Sequence, residues 1–364
     1  MSRYIRQRIG QLVMLGFPDL SISADLRLLA KEYDLGGIIL FGRNIEEPEQ
    51  VAELSRDAQE LSKEIPVWVS VDQEGGAVAR LREPFTIWPT MRCVGDSGDL
   101  ELARRFGKAL ARELLAVGVS LNYAPVLDVD TNDDNPVIGD RAFSQQPEEV
   151  SRFGAAVIEA IQGEGVAACG KHFPGHGDTA VDSHLELPVV DQSNERLRQV
   201  ELLPFQTAVS VDVAMIMTAH VLYPALDEER PATISKNVVT EVLRQEFDFK
   251  GVVATDDLTM KGITADCSVE DAAVESIAAG CDLLLLCEPD IEEQVRTIEA
   301  LIHAVEKKIV PLSRVEDALR RSNSVKARFL ADKKGRKPLS PDGLRAILGC
   351  EEHVAIAHEL RRRS

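Results

Sequence analysis

GVVATD (251–256), SVEDAAVESIAAG (268–280) and DLLLLC (282–287) decide the fold. The first and last stretches are strand-length and apolar throughout, with no polar alternation. Strands of a parallel sheet covered on both faces read this way. The stretch between them spaces its apolar residues as a helix does and ends in Gly280, so the three together form a strand–helix–strand unit.

The same unit recurs toward the N-terminus. Further apolar runs are QLVMLGF (11–17), GGIILF (36–41), VWVSVD (67–72), VSLNYAP (119–125), VAACGK (166–171) and VAMIMT (213–218). Helix-like segments separate or follow them, among them 46–64, 98–118, 146–165, 237–249 and 292–308. Eight strand candidates alternating with helices predict an α/β protein, a single-domain (β/α)8 TIM barrel over residues 1–330. A doubly wound open sheet is the alternative. Residues 331–364 form a C-terminal tail with KKGRK (333–337) and a terminal RRR (361–363). It is expected as a helix packed outside the barrel behind a partly mobile linker at 333–341.

The chain has 364 residues and 45% apolar content, enough for a sizeable core. Its 41 basic and 60 acidic residues leave a net charge of −19. Such a surface repels phosphate backbones and anionic lipid, which argues against nucleic-acid and membrane partners. No run reaches the roughly 18 apolar residues of a membrane span. The start, MSRYIRQRIGQLVMLGF, lacks the apolar core of a signal peptide. Six cysteines without paired spacing read as reduced thiols, with Cys169, Cys281 and Cys287 in or beside apolar runs. Cytoplasmic residence is expected, with a monomer as the default state.

The ends of the apolar runs are unusually polar: Asp72, Asn122, Asp128, Asp130, Lys171, His172, His220, Asp256, Asp257 and Glu288. Barrel enzymes do their chemistry at this end of the strands. Charges gathered there cost free energy unless partners or a ligand compensate them. The densest stretch is KHFPGHGDTAVDSH (171–184), where Pro174, Gly175 and Gly177 exclude a regular helix. In an extended segment Asp182 and His184 point the same way, so a carboxylate stands beside an imidazole, an arrangement for proton transfer near neutral pH. A solvated loop pair is the plainer reading. Zinc binding by His172, His176, His184 and Asp182 is a rival. In ATDDLTM (254–260), Asp256 ends a strand and is presented at the mouth as a fixed carboxylate, the part of a nucleophile. Asp257 turns the other way and serves as a helix cap. Asp128 and Asp130 form a D-x-D that hints weakly at magnesium chemistry.

At KHFPGHGDTAVDSH and TDDLTM the sequence resembles glycoside hydrolase family 3, in particular its single-barrel bacterial β-N-acetylhexosaminidases of peptidoglycan recycling. The resemblance covers about residues 5–330 and includes GGIILFGRN (36–44), SVDQEGG (70–76), GDRAF (139–143), LLPF (202–205) and MTAHVLYPALD (217–227). Too little chain follows the eighth run for the family's common second α/β domain. The resemblance implies Asp256 as nucleophile, His184 as general acid/base on a mobile loop, and Asp182 as its paired carboxylate. It implies Asp72, Arg80, Arg141, Lys171 and His172 as binders of the N-acetylglucosamine ring, with no metal and no cofactor. One departure is Ala77, where the family often has Arg after EGG.

The expected reaction is removal of terminal β-linked N-acetylglucosamine from a small saccharide, with retention through a covalent glycosyl-enzyme. An imidazole does not repel an anionic acceptor as a carboxylate base would, so phosphorolysis stays open. So do a metal-dependent hydrolase and a non-catalytic sugar-binding barrel.

Overall fold

In a computed structural model the described residues are 3–62, 64–183, 185–265, 267–331 and 337–364, with the side chains of 3–5 excluded. Eight parallel strands close a barrel: β1 (Val13–Leu15), β2 (Gly37–Leu40), β3 (Trp68–Val71), β4 (Leu121–Asn122), β5 (Ala167–Phe173), β6 (Met215–Thr218), β7 (Val252–Asp257) and β8 (Leu283–Leu286). Each pairs with its sequence neighbours, and β1 closes on β8 with Val13 opposite Leu284. A doubly wound open sheet is thereby excluded.

The uninterrupted apolar runs now have a physical cause. Side chains alternate between two apolar environments. Met14, Ile39, Trp68, Leu121, Cys169, Met215, Ala254, Leu283 and Leu285 fill the barrel interior. Leu15, Ile38, Val69, Ile216, Val253, Leu284 and Leu286 face outward into the layer beneath the helices. Neither face meets water, so neither is polar.

Helices follow the strands: Ala24–Tyr33, Pro48–Gln59, Leu100–Ala116, Pro147–Glu164, Leu203–Ser210, Val269–Ala279, Ile291–Glu306 and Leu312–Leu330. Asp99, Ser268 and Asp290 cap three of them through side-chain acceptors. Segment Asn237–Glu246 is helical as expected but wound as a π-helix, for which the sequence offers no signal. Among the described residues no helix is long and apolar enough to cross a membrane.

The helix Leu312–Leu330 still belongs to the barrel. Val325, Phe329 and Leu330 close the barrel interior from below. Beyond residue 336 there are two helices, Pro341–Ile347 and Glu351–Arg363, where one was expected. Their Leu344, Leu348, Ile356, Ala357 and Leu360 join the outer core. Residues 333–336 of the expected linker lie outside the described residues.

Candidate active site

The barrel's two-residue period selects its own mouth. In β5 the inward series runs Ala167, Cys169, and then Lys171; in β7 it runs Val252, Ala254, and then Asp256. The same count gives Phe41 after Ile39, Asp72 after Ser70 and Cys287 after Leu285. Phe41, Asp72, Lys171, Asp256 and Cys287 all line one cavity of about 310 Å³, at the small end of ligand sites (roughly 300–1,000 Å³). Glu74, Arg80, Arg141, His172, His176 and Ser183 line it too.

A hairpin directly after β3, Gln73–Gly75 against Val78–Ala79, brings Arg80 back to the mouth. Its turn uses Gly75 (φ 117°) and Gly76 (φ 59°), and a Cβ on Gly75 would sit 2.3 Å from the Pro89 carbonyl. The buried Gln73 side chain accepts from the Arg80 and Leu81 N–H groups at 2.8 and 3.0 Å and fixes the return strand. Ala77 is exposed at the tip, so the departure from the family pattern touches no buried contact.

Lys171 Nζ lies 2.7 Å from both Asp72 Oδ1 and Glu74 Oε1. Glu74 also takes Arg141 through two contacts of 2.9 Å, and Arg80 approaches Asp72 at 3.8 Å. Burial alone would raise the Glu74 carboxyl, but Lys171 and Arg141 outweigh it and hold it at about 2. Burial likewise opposes the charge on Lys171, yet Asp72 and Glu74 push its pKa above the ordinary lysine value. The cluster therefore presents fixed donors and acceptors, with Glu74, Lys171 and Arg141 held in their charged forms.

Asp128 is fully buried and serves two histidines. Its Oδ2 accepts from His172 Nδ1 at 2.7 Å, and its Oδ1 from the backbone N–H groups of His172 and His176 at 3.1 and 2.6 Å. The bond at Nδ1 fixes the ring's orientation and leaves Nε2 as the nitrogen not held by Asp128. Asp130 is paired with Arg92 at 2.6 Å. Both carboxylates of the D-x-D are thus committed to protein partners, which removes the basis for a magnesium reading.

The zinc reading fails for a similar reason at His176. Its Nδ1 contacts Thr179 Oγ1 at 2.8 Å and its Nε2 contacts Ser183 Oγ at 2.9 Å, so neither nitrogen is open to a metal. Burial, then the neighbouring His172, push its pKa down to about 4, and the ring is neutral.

Asp256 is half-buried at the end of β7. Burial would raise its carboxyl, but His172 and His220 hold it below the ordinary carboxylate value. Asp257 was expected to turn the other way and cap a helix; it lines the same cavity as Asp256 and is not a helix cap. Its carboxylate accepts from Thr259 N, Thr259 Oγ1 and Cys287 N, and the short helix Lys261–Thr264 starts only after Met260.

The structure thus gathers Asp72, Arg80, Arg141, Lys171, His172 and Asp256 around one cavity. Asp182 stands next to the lining residue Ser183 without lining the cavity itself. The Asp182 carbonyl accepts from Leu185 N (2.9 Å) and Glu186 N (3.2 Å), so the chain curls back here rather than running extended. His184 lies outside the described residues. Asn122 and His220 are scaffold: the first binds the Gln73 backbone, the second Thr233 and the Asp257 carbonyl. Sequence reasoning passes over the roles of Glu74, His176 and Ser183. Glu74 lies within SVDQEGG, but nothing local announces its distant partners.

Fold and cavity together define a barrel enzyme with an ionised carboxylate facing a fixed set of hydrogen-bonding charges. Residues 4–325 match the profile of the glycosyl hydrolase family 3 N-terminal domain, and the chain belongs to glycoside hydrolase family 3. A β-hexosaminidase of Idiomarina loihiensis is 38% identical over 86% of this chain and 94% of its own length. β-Hexosaminidase A of Pseudoalteromonas piscicida is 39% identical over 73% of this chain, but the match spans only 48% of that longer protein. A family 3 β-N-acetylglucosaminidase of a Paenibacillus species superposes with a TM-score of 0.94 at 40% identity, over 99% of this chain and 68% of that one.

Proposed function

We propose that this protein is a retaining exo-β-N-acetylglucosaminidase. Asp256 attacks the anomeric carbon and forms a covalent glycosyl-enzyme. His184, paired with Asp182, protonates the departing oxygen and then deprotonates the incoming water. Lys171, Arg80 and Arg141 donate to the sugar, Asp72 accepts from it, and His172 completes the ring site. These contacts speed the reaction insofar as they tighten in the transition state.

The observation that carries this reading is the Asp256 carboxylate, held ionised in a cavity that also contains the Asp72–Lys171–Glu74–Arg141 network. The small cavity suits a single sugar ring, which favours exo action. The names of the relatives favour N-acetylglucosamine. The substrate is proposed to be a cell-wall muropeptide fragment, in a monomeric, cytoplasmic enzyme.

A product assay on muropeptide, chitobiose and an aryl N-acetylglucosaminide, each with and without phosphate, tests this. Free N-acetylglucosamine, fastest from muropeptide, is the expected product. Sugar 1-phosphate formed only with phosphate would make the enzyme a phosphorylase. No turnover of any of the three would leave a sugar-binding barrel.

A further inference from the structure

We infer that Ser183, held by His176 and Gly262, is a positioning residue that sets the acid/base segment against the short helix that follows Asp256. The inference rests on the mechanism proposed above.

Ser183 sits between Asp182 and His184 in sequence and is only 2% exposed. A buried serine must satisfy its hydroxyl, and this one does so across the site: its Oγ is 2.9 Å from His176 Nε2. Its carbonyl accepts from Gly262 N, also at 2.9 Å. Gly262 lies six residues beyond Asp256, in the short helix Lys261–Thr264 that follows β7. One residue of the segment is therefore tied on its side-chain side to the β5 loop and on its backbone side to the short helix that follows the proposed nucleophile.

Both anchors are themselves fixed. The His176 N–H donates to the buried Asp128, which also holds His172, and its ring is braced by Thr179. Gly262 can be only glycine here, because a Cβ would lie 2.6 Å from the Ser183 carbonyl. The chain of contacts thus runs from the sugar-ring histidine through Asp128, His176 and Ser183 to the short helix after Asp256. Acid catalysis needs a proton donor at one spot relative to the breaking bond, and a displacement of about 1 Å is costly. A pin at the middle residue meets that need.

The test compares aryl N-acetyl-β-glucosaminides of graded leaving-group acidity on wild type, Ser183→Ala, Gly262→Ala and, as reference, His184→Ala. Ser183→Ala removes the bond to His176; Gly262→Ala pushes on the other side of the pin. Each is expected to lower kcat/KM about 10-fold for the phenyl glycoside and less than about 2-fold for the 2,4-dinitrophenyl glycoside, a weaker copy of His184→Ala. Thermal unfolding is read alongside. Equal losses on both substrates, or none on either, in the two anchor variants while His184→Ala steepens the dependence would overturn the positioning role alone. A flat dependence in His184→Ala would remove the acid/base assignment and the inference with it.

Discussion

The buried Glu74 carboxylate grips Arg141 with two prongs, both at 2.9 Å, and the same carboxylate receives Lys171. A buried ion pair of this kind gives little net stability, because desolvation offsets the attraction. Breaking it is another matter, since the surviving charges stay buried without compensation. Glu74→Gln keeps the volume and removes the charge. Loss of sugar binding is expected, with KM raised at least about 10-fold and a midpoint of unfolding several degrees lower. An unchanged KM would separate Glu74 from the ring site.

The same carboxylate gives the protein an acid limit. Its folded pKa is about 2, below the ordinary 4.5. The unfolded chain therefore binds this proton first as pH falls. The stabilising contribution is complete above pH 4.5 and disappears between 4.5 and 2. Denaturant midpoints measured across that window should fall in wild type and fall less steeply in Glu74→Gln. Parallel curves would count against the assignment.

Asp256→Ala should abolish turnover, by at least about 10³-fold in kcat, while leaving the melting temperature near wild type. The carboxylate is held below the ordinary value, so the acid limb of the wild-type profile from this group lies below the normal aspartate range. Wild-type-like turnover in the variant would remove Asp256 as nucleophile. Prolonged treatment with a chelator should cost no activity, because His176 has both nitrogens committed and His172 has one bound to Asp128. Activity lost to the chelator and restored by zinc would reopen the metal hydrolase.

The barrel was legible because both faces of each strand are apolar, which leaves a run without alternation. The mouth was legible to the same depth: one more step of the two-residue count from Cys169 reaches Lys171, and from Ala254 reaches Asp256. The roles of Glu74 and Asp128 were not, since each is defined by partners more than 40 residues away in sequence. Geometry also overruled local pattern at Asp182, where the extended reading gave way to a turn closed by Leu185 and Glu186. At Asp257 it was the Thr259 and Cys287 donors, not a helix end, that claimed the carboxylate.

Lys326 was equally silent in the sequence. It lies buried beneath the barrel, donating to Gln11 Oε1 at 2.7 Å and the Gly36 carbonyl at 2.9 Å. Burial pushes its pKa down to about 7 from 10.5. A base with a depressed folded pKa reverses the usual lysine sign. Between pH 7 and 10.5 the unfolded chain binds more protons, so this residue makes stability rise with pH over that window, by on the order of 1 kcal/mol per unit. Lys326→Met removes that slope and the cost of burying an ammonium below pH 7. A variant whose stability climbs with pH as wild type does would refute the shift.

We propose that residues 337–364 belong to the barrel's folding unit. Glu113, in the helix Leu100–Ala116, accepts from Thr86 N and Oγ1, from Gly349 N and from His353 Nδ1. Two of these donors come from the terminal segment, and all are satisfied by one buried carboxylate. Glu113→Ala leaves them unpaired in the interior, at a cost of about 3–5 kcal/mol. The expected result is a single unfolding transition at lower temperature, seen alike by far-ultraviolet dichroism and by the fluorescence of Trp88, which packs near His353. A terminal segment that were merely appended would instead melt early by itself, with the tryptophan signal changing while the barrel's dichroism held.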